Sequence, residues 1–204
     1  ETLQAGVDAV QGSGTIELTS SIALSDQVTI DSGKTIILDM NGETLSIGFS
    51  DSSKNLIVNN GTLTITGDGT FDATEATSYK GFINNYGTLT VENGTFQIAD
   101  KAMTVHLRNQ DGGKAVINGG TFSGGATIVR SFEGSNTTIT GGSFTNSVYP
   151  AVDVNGETLI TGGIFTNTSC SRCDSQNWGY TVRSGVDNDP DAKLTITPSS
   201  EGSV

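Results

Sequence analysis

The sequence predicts an all-β chain wound into a single-stranded parallel β-helix, a solenoid with coils of about 21–26 residues and a short N-terminal capping helix. Three observations carry this. The phrases LTITGDGTF, LTVENGTF, VINGGTF, TITGGSF and LITGGIF recur, each ending on a phenylalanine: Phe71, Phe96, Phe122, Phe144 and Phe165. A fixed period just above twenty marks a stack of one-coil units. Inside each phrase apolar and polar residues alternate, the pattern of a strand with one buried face. The 27 glycines fall at fixed places in the repeat, so a hydrophobic content of 34% describes a thin core rather than disorder.

The elements follow in chain order. Leu3, Val7 and Val10 share one face at helical spacing, so residues 1–14 are expected to cap the open end of the stack, although Gly6 weakens the helix. The segments TIELTSSIAL, QVTI, GKTIILDMNG and ETLSI supply the first coils, and residues 15–165 as a whole are read as coils. Alternation places Leu63, Ile65 and Phe71 inside, then Leu89, Val91 and Phe96, then Ala115, Ile117 and Phe122, then Ile139 with Phe144 and Ile160 with Phe165. Gly69, Gly94, Gly120, Gly142 and Gly163 form a column where a side chain would block the backbone conformation or the approach of the next coil. A second strand in each coil puts Asn59, Asn85, Asn109, Ser131, Asn155 and Ser184 at one corner, where amides tolerate a left-handed conformation and bond along the stack. Residues 166–179 interrupt the period as an inserted loop, residues 180–197 resume it as a last coil, and residues 198–204 form a polar tail of this single domain, 1–204.

Composition narrows the partners. A formal charge of −12, from 22 acidic and 10 basic residues, repels phosphate backbones and anionic membrane surfaces, so neither nucleic-acid binding nor membrane insertion is expected. No run approaches the ~18 apolar residues of a membrane helix. The chain opens at Glu1 without an initiator Met, which reads as a processed protein or an excised domain. Cys170 and Cys173 stand as an isolated C-x-x-C with no second pair and no nearby His, so a local disulfide in an oxidising location is a better expectation than a zinc site.

The stretch LQAGVDAVQGSGTIELTSSIALSDQVTIDSGKTIILDMNGETLSI, from Leu3 to Ile47, resembles the opening of pectate-lyase-like right-handed β-helix proteins. The GGTF-type repeats after it resemble those of non-catalytic β-helix surface proteins of bacteria and their phages. That resemblance implies a right-handed coil, but this fold hosts lyases, hydrolases, adhesins and virion decorations, so function rests on the site.

Enzymes on this fold use clustered carboxylates, either to hold calcium or as an acid pair at glycosidic distance. The acids within the repeats are Asp68, Glu92, Glu133, Asp153 and Glu157; only Glu133 and Glu157 are expected as neighbours across a coil step, and Asp153 is expected to face outward. An isolated acid on a solenoid is ordinarily a solvated side chain. His106, flanked by Val105 and Leu107, is expected on the outer face without a catalytic partner. Asp187, Asp189 and Asp191 carry ligand oxygens for calcium but lack the EF-hand spacing, so no metal and no cofactor are expected.

Three surface features are candidates for binding. Arg108, Arg130 and Arg183 occupy equivalent positions in their strands and form a basic strip suited to a carboxylated sugar or an acidic partner, unless acids such as Glu133 neutralise it. Trp178 and Tyr180 in the inserted loop can stack on a sugar ring or cover the last coils. Thr64, Thr90, Thr138 and Thr195, with Thr66, Thr140, Thr161 and Thr197 alongside, form hydroxyl columns resembling an ice-binding face, broken by Val116, Leu159 and Glu92.

The expected function is therefore a non-enzymatic module for attachment, decoration or adhesion, outside the cell on a bacterial or virion surface. Its partner would be a host or cell-surface glycan or a larger assembly, with a homotrimer as one arrangement. The alternatives are a polysaccharide lyase or glycoside hydrolase whose site, including Glu133 and Glu157, is shared between subunits, and an ice-binding protein.

Overall fold

A computed structural model describes residues 2–51, 53–75, 81–99, 104–145, 149 and 151–166, together with the backbone of two further strands, Val182–Ser184 and Lys193–Ile196. Each coil gives one strand to each of three parallel sheets, of 8, 7 and 7 strands. In a central coil, Thr88–Val91 lies in the first sheet, Thr95–Ile98 in the second and Val105–Asn109 in the third. Every expected inward residue from Leu63 to Phe165 is buried in one continuous core.

The helix Leu3–Ala9 closes the N-terminal end. Thr2 caps it by accepting from the Ala5 N–H at 3.2 Å, and Leu3 and Val7 bury against the first coil. Lys34 closes its other end, its ammonium donating to the carbonyls of Val7 and Val10 at 2.8 Å each. Gln4 covers the free edge of the third sheet as a strand would: its amide donates to the Thr29 carbonyl at 3.1 Å and accepts from the Thr29 N–H at 2.7 Å. Gly6 lies over Ile16, with room for an ordinary contact and no more.

In the second sheet the phenylalanines align in register and stack. Centroids of successive rings from Phe71 to Phe165 lie 4.6, 4.6, 5.1 and 4.6 Å apart, within 10° of parallel. The glycine column serves both anticipated purposes. Gly94, Gly120, Gly142 and Gly163 have φ between 97° and 117°, and a Cβ at Gly120 would sit 3.3 Å from the Phe122 ring and 3.1 Å from the Gly94 carbonyl oxygen. Gly69 differs: its φ is not positive, and a Cβ there would collide with Met40.

The corner of the third sheet carries a buried amide ladder. Asn59 donates to Asn85 Oδ1 at 2.7 Å and Asn85 to Asn109 Oδ1 at 2.8 Å, while Asn109 donates to Thr137 Oγ1 at 2.9 Å and Ser131 shares a 2.7 Å bond with the same hydroxyl. Two details correct the sequence reading. These residues are extended strand residues, and Asn41 is the one described non-glycine with positive φ. The register also places Val154 at the corner and Asn155 one residue beyond it, because the strand Val152–Val154 ends with Val154 opposite Ser131.

Candidate functional site

The third sheet presents an outward column, in register, of Thr29, Val58, Asn84, Arg108, Arg130 and Asp153. The residue following each corner forms a second column beside it: Tyr86, Gln110, Phe132 and Asn155 each donate a backbone N–H to the corner carbonyl of the preceding coil. Coils are about 4.8 Å apart, so the two columns make a compact strip.

The guanidinium carbons of Arg108 and Arg130 lie 5.1 and 5.0 Å from the centre of the Phe132 ring. Arg108 lies over Gly81, where a Cβ would sit 2.9 Å from the Val105 carbonyl oxygen and 3.2 Å from Arg108 Cδ. Burial, then repulsion from Arg130, lowers the Arg108 pKa, and the Tyr86 side chain opposes this. Arg130 Nε lies 3.4 Å from Asp153 Oδ2, an ion pair without hydrogen-bond geometry. Gln110 donates to Asn84 Oδ1 at 2.5 Å, Asn84 donates to the Tyr86 hydroxyl at 3.3 Å, and Tyr86 is 48% exposed. The strip thus combines fixed guanidinium groups, amides and an exposed phenol, groups that recognise anionic and hydroxylated ligands.

The structure brings Arg108 and Arg130 together as expected and sets the strand of Arg183 in register beyond Asp153. Asp153 faces outward but is buried, and it, not Glu133, pairs with Arg130. Glu133 and Glu157 are both exposed and are not register partners: Glu157 aligns with Asn136, which donates to it at 3.3 Å. Trp178, Tyr180, Cys170, Cys173 and Asp187–Asp191 lie outside the described residues.

The outward reading of His106 is overturned. Three consecutive coils bury two adjacent residues in the third sheet, Phe82–Ile83, His106–Leu107 and Ile128–Val129. In the last of these, both N–H groups converge on the Ala151 carbonyl, at 3.1 and 2.8 Å, as in a bulge. His106 is 1% exposed, between Phe82 and Phe122 at ring distances of 5.5 and 6.0 Å. Its Nε2 donates to the Gly124 carbonyl at 3.2 Å, which leaves Nδ1 as a buried acceptor without a donor. Burial pushes its pKa down to about 4.

Other surfaces carry less. Thr64, Thr90 and Thr138 share their column with Ile37, Val116 and Leu159, and Thr66, Thr140 and Thr161 share theirs with Asp39, Glu92 and Asn118. The more regular hydroxyl column is on the second sheet, Thr44, Thr70, Thr95, Thr121 and Ser143, broken at Ile164. A cleft of about 870 Å³ beside Phe49 is lined by Asp26, Asp51, Lys54, Asp72 and Glu75. Three of its carboxylates close local structure: Asp26 pairs with Lys54 at 2.6 Å, and Asp51 and Asp72 accept from the turns at Ser53 and Thr74. Among the described residues no three His, Cys, Asp or Glu side chains are placed to hold a metal ion, and no helix is long and apolar enough to cross a membrane.

No protein-family model, curated protein or solved structure matches the chain. What identifies it is its architecture, a three-sheet parallel β-solenoid.

Proposed function

We propose that the protein is a non-enzymatic attachment module of the pectate-lyase-like surface type, displayed outside the cell on a bacterial or virion surface, and that it grips an anionic glycan along the third-sheet strip. The observation that carries the reading is the paired guanidinium platform of Arg108 and Arg130 over Phe132, edged by Tyr86, Asn84 and Gln110. On a chain with a net charge of −12, two guanidinium groups held against one ring, with Asp153 paired to only one of them, leave a net positive spot for an anion. The platform is prearranged by stacking and register, so little side-chain entropy is lost when a carboxylate or sulfate binds. The backbone-locked coils suit a rigid spacer within a larger assembly, a trimeric fibre included.

The test is a panel of neutral, carboxylated and sulfated polysaccharides, scored for both retention of the protein and release of new reducing ends. Retention on acidic members without chain cleavage is expected. Cleavage that depends on Glu133 or Glu157 would replace this reading with the enzymatic one.

A further inference from the structure

We propose that His106 makes the strip acid-sensitive: protonating its buried imidazole unseats the strand Val105–Asn109 and releases the ligand held by Arg108 and Arg130. This regulation rests on the strip being the ligand surface. The geometry ties the two together. His106 and Arg108 lie on one strand, and the paired burial of His106 and Leu107 turns the first inward and Arg108 outward. That strand is central to the strip, paired in register with Gly81–Asn85 on one side and Thr127–Ser131 on the other. Movement of the imidazole therefore moves the backbone that sets both guanidinium groups.

Burial disfavours a second proton on the ring more than the backbone of Gly124 and Ser123, which favours it, can offset. The equivalent positions in the neighbouring coils hold Phe82 and Ile128, both buried and apolar. Phe122 presents its ring from the second sheet, and the Gly124 carbonyl already occupies Nε2. Among the described residues no carboxylate faces the imidazole from any of these elements, and the one charged side chain on its own strand is Arg108, on the opposite face. A proton on Nδ1 places an unpaired donor and a charge in an aromatic seat, a state the folded strand disfavours and the opened strand, in water, does not.

The sign follows from linkage. The folded imidazole has a pKa of about 4, below its value of about 6.5 in water. The opened strand therefore binds the proton first. Closure is undiminished above pH 6.5 and weakens as pH falls toward 4, by about tenfold per pH unit and roughly 300-fold in all.

The experiment measures backbone amide exchange of Val105–Asn109, as protection factors relative to intrinsic rates, between pH 7 and 4. It is run beside the dissociation rate of immobilised dextran sulfate, whose charge is constant over this range. Wild-type protein is expected to lose protection by about tenfold per pH unit below 6.5 and to release dextran sulfate faster in the same window. His106→Phe and His106→Leu, two apolar replacements of different size, are expected to lose both dependences. Equal pH dependence in wild type and in whichever variant folds overturns the switch, as does release that accelerates without loss of protection. Absence of dextran sulfate binding at pH 7 removes the ligand reading instead, while the exchange data still decide whether His106 controls the strand.

Discussion

Replacing Phe122 by Ala tests the packing on which every other statement depends. The ring is 2% exposed, stacked between Phe96 at 4.6 Å and Phe144 at 5.1 Å, with His106 against its edge at 6.0 Å. Its burial alone is worth about 2–3 kcal/mol. The vacancy adds to this, because both flanking coils are pinned: their strands are hydrogen-bonded in register, and Gly120 and Gly142 hold φ values of 97° and 99° beside the rings. Neither neighbouring phenylalanine can slide along the axis to fill the gap without breaking that register. We expect Phe122→Ala to cost about 3–5 kcal/mol, near the upper range for buried aromatic truncations. The assay is urea unfolding followed by far-ultraviolet circular dichroism, with amide exchange to show where protection is lost, since a solenoid can lose coils without unfolding as a whole. Loss is expected to be greatest in the strands Thr95–Ile98, Thr121–Ser123 and Ser143–Thr145. A cost below about 1 kcal/mol, with protection unchanged in those strands, would refute the claim that the ring stack is the shared core.

Three further outcomes follow from the same geometry. Asn85→Ala removes one of the two bonds of the Asn59 amide, the donor to Asn109 Oδ1 and the side-chain donor to the Gly87 and Lys114 carbonyls, and is expected to cost about 2–4 kcal/mol by urea unfolding, whereas the exposed Asn60→Ala changes stability little. Gly120→Ala forces a Cβ onto a φ of 97° within 3.1 Å of a carbonyl oxygen, and a loss of about 1–3 kcal/mol is expected from the same measurement. Because the folded His106 pKa is depressed, wild-type stability relative to His106→Leu is expected to be full above pH 6.5 and to fall by up to about 3 kcal/mol as pH drops to 4; a constant difference between the two proteins across that range contradicts the buried neutral imidazole.

Most of the fold was legible because it is written in side-chain chemistry that repeats. The Phe–Gly pairing announces the period, alternation assigns the inner face, and Leu3 with Val7 announces the cap. What escaped depends on backbone irregularity, which alternation cannot see. His106 departs from the alternation because two consecutive residues bury at that point in the coil. Aligning FINN, HLRN and IVRS puts His106 opposite Phe82 and Ile128, a column whose other members are apolar, and that was the signal available. Asn155 matches Asn109 in chemistry, whereas the register matches Val154 to Ser131. The arginine pair was visible as an equivalent position, but Tyr86, Gln110 and Phe132 were hidden one residue past the corner, where the sequence reads as turn. Only the register shows that they form a column beside Arg108 and Arg130.

The most direct test of the central claim is the affinity of dextran sulfate and of a polyuronate for wild-type protein and for Arg108→Gln with Arg130→Gln, at two salt concentrations. Each lost charge-assisted contact is worth about 1.5–3 kcal/mol, so the double substitution is expected to weaken binding by at least about 100-fold, with a flatter salt dependence and unchanged circular dichroism. Equal affinity of the two proteins, or binding that is indifferent to salt, contradicts the assignment of the third-sheet strip as the surface by which this solenoid attaches.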